Sequence, residues 1–259
     1  MNTCLKLDRV GMSYPGLPVL SPLDLDFPRG MITSVVGPSG CGKSTLLKIS
    51  GGLITPSEGR VIYQGNEITG KPQGFGLMNQ KDLLLPWLPL WKNVGLPLKI
   101  QGLSWKSAAE RVDKLLMEFG LGDFREYYPH QLSGGMRQRG AFIRAYLSNP
   151  QVLLLDEPFA ALDALTRKDL QFWLHEAWRT HGSSIILVTH SLEEALVLSH
   201  RVVVLTGIPG EIQAIHDLDF AAEDLRSKTM HPSYLKEYQE LEASLFAGSR
   251  LDPHRELRV

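Results

Sequence analysis

Residues that could handle phosphate stand together in one short segment of the chain. The segment fits the pattern G-x-x-x-x-G-K-[ST] and reads Gly37, Pro38, Ser39, Gly40, Cys41, Gly42, Lys43, Ser44 and Thr45. Its glycines let the backbone curl until successive N–H groups point at one phosphate chain. The lysine would reach the β- and γ-phosphates, and the Ser44 hydroxyl would bind Mg²⁺. This segment, the phosphate loop, predicts a site for a nucleoside triphosphate.

The phosphate loop has the sequence context that its pattern requires. The apolar run 32–36 before it predicts a strand, and residues 46–49 after it predict the first turn of a helix. The N-terminus of such a helix adds about half a positive charge at the same place. The loop alone does not distinguish a kinase, a GTPase, a helicase or a transport motor.

Two carboxylates follow a second apolar run, at 153–155. They are Asp156 and Glu157, and ligands bind at the carboxyl ends of parallel strands. Asp156 is predicted to hold Mg²⁺, and Glu157 to polarise a water aligned on the γ-phosphate. Adjacent carboxylates in a sheltered site repel each other, so this pair is consistent with a bound cation.

Two further polar residues have roles that depend on the phosphate loop being present. His190 follows the apolar run 185–188 and could hydrogen-bond the γ-phosphate, although a histidine after a strand is more often structural. Gln80 offers a neutral amide that could ligate Mg²⁺ and contact the attacking water. Neither residue indicates a function by itself.

A second phosphate-binding element is indicated at residues 132–139. Ser133 is typical of a helix N-cap, and Gly134 and Gly135 leave backbone N–H groups open at a positive helix end. The chain already has a complete phosphate loop. The direct physical use of a second element is to bind the γ-phosphate held by another copy of the protein.

The elements that position these residues predict an α/β fold. We expect a P-loop NTPase core with a parallel sheet between helices, an N-terminal antiparallel β subdomain and an inserted α-helical subdomain at about 82–150. The ATPase domain is expected to span 1–220, followed by a mixed tail at 221–259 with a weak helix near 234–246. Trp173 and Trp178 are predicted to face the core. The predicted strands lie within 1–36, 59–68, 152–155, 185–188 and 202–205, and the helices at 104–119, 133–147 and 166–181.

Composition limits the partners and the compartment. The 259 residues carry a formal net charge of −1, which gives no sign of a nucleic-acid-binding surface. Cys4 and Cys41 are the two cysteines, and the second lies in the phosphate loop, so a disulfide is not expected. The sequence has neither an apolar run of 18 residues nor a signal peptide. We expect a cytosolic protein whose membrane part, if it has one, comes from another chain.

Taken in order, these segments resemble the ATPases of ATP-binding cassette (ABC) transporters, from about residue 5 to residue 215. The matching segments are the phosphate loop, a glutamine loop at Gln80, a signature at 132–136, the acidic pair 156–157, a dimer-contact loop at 161–163 and a switch histidine at His190. The resemblance also assigns Tyr14 as the aromatic residue that stacks on adenine.

The resemblance implies a mechanism and a set of partners. Two cassettes would close head to tail around two ATP molecules with Mg²⁺, and Glu157 would act as general base. The expected partners are a second copy of the cassette, integral membrane permease subunits and, indirectly, a solute-binding protein. The cassette would sit peripherally on the cytoplasmic face of the inner membrane. Pairing with a paralogue instead of a second copy stays open.

The segment 83–87, Leu-Leu-Leu-Pro-Trp, resembles the importer group for nitrate, sulfonate and taurine, which includes importers of thiamine-precursor pyrimidines. Segments 128–131 and 158–163 resemble the same group. In that group, the region of Trp87 lies at the groove that receives a helix of the membrane subunit. Ordinary core packing is the alternative for this side chain. Asn79 and Gly140 depart from the usual family residues.

Two other functions share most of these features. An exporter cassette would carry every catalytic segment, and only the region around Pro86 and Trp87 argues against it. A soluble ABC ATPase of translation or DNA repair would be expected to have tandem cassettes, a long coiled coil or zinc modules, which this sequence lacks. The residues do not identify the transported solute.

Overall fold

The computed structural model describes residues 3–148, 150–220 and 225–248. The strands are β1 (Thr3–Tyr14), β2 (Leu17–Pro28), β3 (Ile32–Val36), β4 (Glu58–Tyr63), β5 (Asn66–Glu67), β6 (Gly76–Met78), β7 (Val152–Asp156), β8 (Ser184–Thr189), β9 (Arg201–Thr206) and β10 (Glu211–Asp217). The helices are α1 (Lys43–Ser50), α2 (Leu90–Ile100), α3 (Trp105–Glu118), α4 (Gly134–Leu147), α5 (Ala164–His181), α6 (Leu192–Leu198), α7 (Leu225–Lys228) and α8 (Pro232–Gly248). The chain forms two units, Met1–Gln73 with Ile186–Val259, and Gly74–Ile185.

The first unit contains two sheets. One is antiparallel, with strand order β2-β1-β4-β5, as predicted for the N-terminal segment. The other has the order β10-β9-β3-β8, in which β3 and β9 are parallel and β10 is an antiparallel edge strand. All residues of β3 and β8 are buried. This burial explains why their sequences are continuous apolar runs, since both faces of the sheet are covered.

The second unit combines a parallel strand pair with helices. β6 and β7 are parallel, with Met78 opposite Leu155. Helix α2 packs against α3 and α4. The predicted helices of this region are therefore confirmed, and the sequence analysis missed α2. Whether the helical insertion is bounded at 82 and 150 stays a prediction.

Close packing between helices α2 and α4 explains why position 140 carries glycine and not the usual family residue. A Cβ atom at this position would lie 2.7 Å from Cδ1 of Leu90, which is fully buried in α2. The glycine lowers helix propensity by up to about 1 kcal/mol. In exchange, it lets helices α2 and α4 approach closely.

The two tryptophans of α5 are half-buried, so the prediction of core-facing side chains is correct only in part. The Trp173 ring packs edge-on against Phe119 and Phe142, both buried. Its indole N–H donates to the exposed carboxylate of Glu118. Trp173 thus lies at the rim of the core of the second unit, with its polar edge at the surface.

The C-terminal helix α8 is attached to the core of the first unit. Leu241 is fully buried in a cluster with Val204 and Phe220, and Tyr238 packs against that cluster. The predicted weak helix near 234–246 is confirmed and is longer than expected. Residues 221–224 and 249–259 of the predicted tail lie outside the described residues. None of the described helices is long and apolar enough to cross a membrane.

Lys228 is a buried cation at the end of α7. Its side chain is fully buried, and within the described residues its Nζ has no hydrogen-bond partner. Burial lowers the pKa of Lys228 from 10.5 to about 8, because the charged form is poorly solvated. The unfolded chain therefore binds this proton more tightly than the folded chain does. The buried charge therefore lowers the free energy of unfolding by its full amount below pH 8, and this loss of stability disappears as the pH rises towards 10.5.

Replacing Lys228 with Met should therefore stabilise the protein at pH 7, by up to about 3 kcal/mol. The gain should shrink at pH 9.5, where the wild-type lysine is largely neutral in the folded state. Thermal unfolding of both proteins at the two pH values measures this difference. Lys236→Met is the matched control, because that side chain is exposed. A Lys228→Met protein that melts below wild type at both pH values would contradict the assignment.

Candidate nucleotide-binding site

The phosphate loop connects β3 to α1, and its path depends on positions without a Cβ atom. Gly40 and Gly42 have φ angles of +86° and +97°, which L side chains rarely adopt. At Gly37, a Cβ atom would lie 2.0 Å from the carbonyl oxygen of Leu205 in β9. Gly40 and Gly42 are thus favoured by their left-handed backbone conformation, and Gly37 is required because a side chain there would clash with β9. These three positions constrain the path of the loop between the strand and the helix.

Lys43 stabilises this path from within the loop. Its Nζ donates to the carbonyl oxygens of Gly37, at 2.8 Å, and Pro38, at 2.9 Å, and the side chain is buried. The ammonium group is thereby held over the curled backbone. Ser44 follows in the first turn of α1. A lysine and a hydroxyl residue are therefore fixed beside a helix N-terminus.

The arrangement fits a phosphate chain. Helix α1 begins after Gly42, which has no side chain to occupy the first backbone N–H groups. A Cβ atom at Gly40 would meet nothing within 4 Å, so the loop is open at that point. Amides at a helix N-terminus, with a lysine alongside, form an anion site. Cys41, also in the loop, is buried, and burial raises the pKa of its thiol.

Tyr14 and His190 belong to the same unit as the phosphate loop. Tyr14 ends β1 and is exposed, as a residue that stacks on a base must be. His190 directly follows β8, the neighbour of β3 in the sheet, and is also exposed. The turn after it is fixed, because the buried hydroxyl of Thr189 bonds Oε2 of Glu194 at 2.5 Å and accepts from the N–H of Ser191.

In the second unit, Gln80 and the acidic pair lie at the carboxyl ends of two neighbouring parallel strands. Asp156 is the last residue of β7 and is buried. Gln80 follows β6, which pairs in parallel with β7, and is exposed. The structure therefore brings together the carboxyl ends of the two strands that carry these predicted residues.

Glu157 has an unusual backbone conformation that a buried amide supports. Its φ is +51°, a left-handed value that is uncommon for a residue other than glycine. Nε2 of Gln138 donates to the Glu157 carbonyl at 3.0 Å, and Oε1 of Gln138 accepts from the N–H of Ala161 at 2.9 Å. Gln138 is buried in α4. One side chain thus fixes both Glu157 and the loop that follows it.

The sequence analysis missed Gln138. It lies five residues after Ser133 in the same signature helix, and the sequence gives no sign that this position is buried.

The N-terminus of α4 is exposed. Ser133 is its N-cap, as predicted, and its hydroxyl accepts from the N–H of Met136 at 3.2 Å. Ser133 and Gly134 both lie at the surface. Arg137 holds the preceding turn by donating to the carbonyl of Leu132 at 2.7 Å and to Oδ2 of Asp82 at 3.0 Å. The signature segment therefore presents backbone N–H groups outward on a fixed turn.

The dimer-contact loop ends in a conventional helix cap. Oδ1 of Asp163 accepts from the N–H groups of Thr166, at 3.0 Å, and Leu165, at 3.1 Å, at the start of α5. The hydrogen bonds from Thr166 hold the pKa of the Asp163 carboxyl below its ordinary value. This carboxylate therefore has a structural role within its own unit.

Asn93 organises the turn that displays Trp87. Its buried side chain accepts from the N–H of Leu85 at 2.7 Å and donates to the carbonyls of Leu85, at 3.0 Å, and Leu88, at 2.8 Å. Trp87, on the turn between them, is 69% exposed. The alternative of core packing for Trp87 is therefore wrong, and the sequence analysis also missed the role of Asn93.

Comparisons with known proteins agree with this architecture. Residues 20–160 match the family model described as ABC transporter. The chain is 40% identical to the taurine import ATP-binding protein of Jannaschia sp. (strain CCS1), over 86% of this chain and 84% of that protein. It is also 40% identical to the aliphatic sulfonates import ATP-binding protein of Bacillus licheniformis, over 88% of this chain and 90% of that protein. Among solved structures, the chain is similar to a dimeric post-hydrolysis state of the ATP-binding cassette MJ0796 bound to ADP and Pi. The TM-score is 0.77, and the sequence identity is 31% over 83% of this chain and 98% of that chain.

The fold and the phosphate loop together define an ATP-binding α/β ATPase. The chain belongs to the ABC transporter family. It is an ATPase of the kind that couples hydrolysis to transport.

The two hydrogen bonds of Gln138 should affect the rate of ATP hydrolysis, because they hold the backbone at Glu157. Replacing Gln138 with Leu should remove both hydrogen bonds and let the Glu157 backbone relax from its left-handed conformation. The sequence analysis assigns Glu157 as the general base, and a displacement of about 1 Å at such a group can cost about a hundredfold in rate. We therefore expect kcat for ATP hydrolysis to fall at least about tenfold, with little change in KM for ATP, because the phosphate loop is untouched.

Steady-state ATPase kinetics measure both parameters. Gln101→Leu is the matched control, because Gln101 is exposed in the same unit and, among the described contacts, its side chain donates only to the Ser148 carbonyl. A Gln138→Leu protein with a lower melting temperature but an unchanged kcat would show that this amide has a structural role alone.

Proposed function

We propose that this protein is the ATP-hydrolysing motor of an importer and works as a head-to-tail pair of cassettes. In the closed pair, each ATP is held between the phosphate loop of one copy and the N-terminus of α4 of the other. The observation that carries this proposal is the exposed helix start at Ser133 and Gly134, in a chain that already has a complete phosphate loop. The dimeric state of the cassette MJ0796, bound to ADP and Pi, supports it by similarity.

The proposed roles divide between the two units. In the first, residues 37–45 cradle the phosphates, Tyr14 stacks on adenine and His190 hydrogen-bonds the γ-phosphate. In the second, Glu157 takes a proton from the attacking water, and Ser133 to Gly135 bind the γ-phosphate of the partner copy. Ser44, Gln80 and Asp156 would hold Mg²⁺. When bound, Mg²⁺ neutralises charge on the phosphate oxygens.

The hydrolytic step requires little from the protein beyond orientation and one base. The water oxygen attacks the γ-phosphorus, the bond from phosphorus to the β–γ bridging oxygen breaks, and ADP and phosphate result. Glu157 accepts the proton that the water loses. ATP binds the closed pair better than the open pair, and this difference in affinity drives closure. Hydrolysis removes the difference, so the pair reopens.

The Glu157→Gln variant tests the composite site. Without the base, hydrolysis should slow by at least about a hundredfold, and ATP should stay trapped in the closed pair. Light scattering with Mg²⁺ should therefore report a dimer with ATP and a monomer with ADP. Wild type should dimerise only transiently, because it consumes its ATP.

A second variant separates the possible outcomes. Adding Ser133→Arg to Glu157→Gln places a bulky cation at the exposed start of α4, and dimerisation should be lost while ATP binding persists. Dimers that survive this addition would overturn the role given to Ser133. A Glu157→Gln protein that hydrolyses ATP at the wild-type rate would overturn the role of Glu157.

We also propose that the motor serves import of a small organic sulfonate such as taurine. On this proposal, the protein lies peripherally on the cytoplasmic face of the inner membrane, beneath two permease subunits that receive solute from a solute-binding protein. The named functions of the taurine and sulfonate relatives, each 40% identical, support this assignment. Trp87 and Leu83, 69% and 53% exposed, would contact the permease.

Complementation of a gene deletion tests both parts of this proposal. Deletion should abolish uptake of labelled taurine, and the wild-type gene should restore it. The Trp87→Ala gene should restore less than about a tenth of uptake, because an aromatic anchor of an interface is worth about 2 kcal/mol or more. The isolated variant should hydrolyse ATP normally.

The matched control is Ile100→Ala, which removes an apolar side chain of the same unit that is even more exposed, at 78%. It should restore full uptake. Taurine uptake that survives deletion would contradict the choice of solute, and parallel assays with nitrate and a thiamine-precursor pyrimidine would then identify the alternative. Full restoration by Trp87→Ala would contradict the docking role alone.

A further inference from the structure

Three side chains with metal-binding atoms meet where α8 lies beside β10, in the first unit. They are His216 on the strand and Glu237 and Glu240 on the helix. Nδ1 of His216 lies 3.3 Å from Oε2 of Glu237, and one ligand atom from each of the three residues lies within 4.8 Å of the others. None of them belongs to the nucleotide site or to the proposed permease contact.

The position of His216 in its strand is unusual for a polar residue. Burial alternates along β10, so that Ile212, Ala214 and His216 share the inner row. Ala214 packs against the core cluster that contains Leu241 of α8. The same row would normally continue with an apolar side chain. A histidine stands there instead, opposite a glutamate.

The side chains of His216 and Glu237 are only 15% and 16% exposed. Shielding an imidazole and a carboxylate from water costs free energy unless both have good partners. Among the described residues, the hydrogen bond between these two side chains is 3.3 Å, which is long for this purpose. A cation bound between the two side chains would satisfy both more fully.

We propose that His216, Glu237 and Glu240 form a binding site for a divalent transition-metal cation of the Zn²⁺ type. Zinc binds nitrogen and oxygen ligands at about 2.0–2.1 Å in tetrahedral geometry, which places neighbouring ligand atoms about 3.3 Å apart. The His216–Glu237 distance matches this spacing. Glu237 and Glu240 are three residues apart, so they share one face of α8.

Glu240 completes the set by a small movement. Its carboxylate is exposed and lies 3.6 Å from Nζ of Lys236, an exposed ion pair of little energetic value. It can therefore turn towards the other two ligands. One imidazole and two carboxylates balance the charge of Zn²⁺ and leave a fourth position for water. Mg²⁺ and Ca²⁺ are disfavoured because they prefer oxygen ligands alone.

Such a site would couple the C-terminal helix to the sheet. A metal bound to the folded protein and not to the unfolded chain stabilises the folded state by mass action. With ligands on both β10 and α8, the cation would fasten that helix to the edge strand. This site has no required part in ATP hydrolysis, so the proposal stands apart from the transport function.

Zinc titration of the full chain tests the site. The protein is freed of any histidine tag, kept without nucleotide and held in excess Mg²⁺, which occupies sites made of oxygen ligands. Calorimetry should report one equivalent of Zn²⁺ per chain, and Zn²⁺ should raise the melting temperature. In His216→Ala, the dissociation constant should rise at least about tenfold and the thermal shift should disappear.

Two glutamate variants make the result decisive. Glu240→Gln should weaken Zn²⁺ binding while leaving the His216–Glu237 bond intact, so it remains informative if His216→Ala fails to fold. Glu242→Gln removes the same charge from an exposed position of the same helix and should bind Zn²⁺ like wild type. Equal binding by wild type, His216→Ala and Glu240→Gln, or absence of binding by wild type, would overturn the proposal.

Discussion

Backbone packed directly on backbone is the constraint on which the nucleotide site depends. Gly37 lies against the carbonyl of Leu205, and a Cβ atom at Gly210 would lie 2.1 Å from the carbonyl of Cys41. A Cβ atom at Gly42 would lie 2.6 Å from Cδ2 of Leu20 and 3.1 Å from the carbonyl oxygen of Val19, both in β2. The phosphate loop is therefore packed closely against its neighbours, with no room for a side chain at these three contacts. These contacts with the neighbouring backbone set the shape of the loop.

Buried amides perform the same task in the second unit. Asn93 bonds the backbone of the turn that carries Trp87, and Gln138 bonds the backbone around Glu157. Each amide offers a donor and an acceptor, so a single side chain can replace the pairing that irregular backbone lacks. Because these amides are buried, water competes with them little. The segments proposed to act on ATP and on the permease thus lie on loops with fixed conformations.

The sequence predicted the parts of the fold in which one strong pattern determines the outcome. The continuous apolar runs became buried strands, and the phosphate loop connects a strand to a helix as expected. β10 was missed because its exposed positions are polar and its inner row contains His216. Helix α2 was missed because it contains Pro97. Gln138 and Asn93 escaped notice because the value of a buried amide depends on partners that sequence spacing does not reveal.

Burial of the thiol inside the phosphate loop has a chemical consequence. The thiolate is the form of cysteine that attacks peroxides and alkylating agents, and burial disfavours this form of Cys41 by raising the pKa of its thiol. The side chain is also 1% exposed, so reagents have almost no access to the sulfur. The loop therefore carries a potentially oxidisable residue in an inert form.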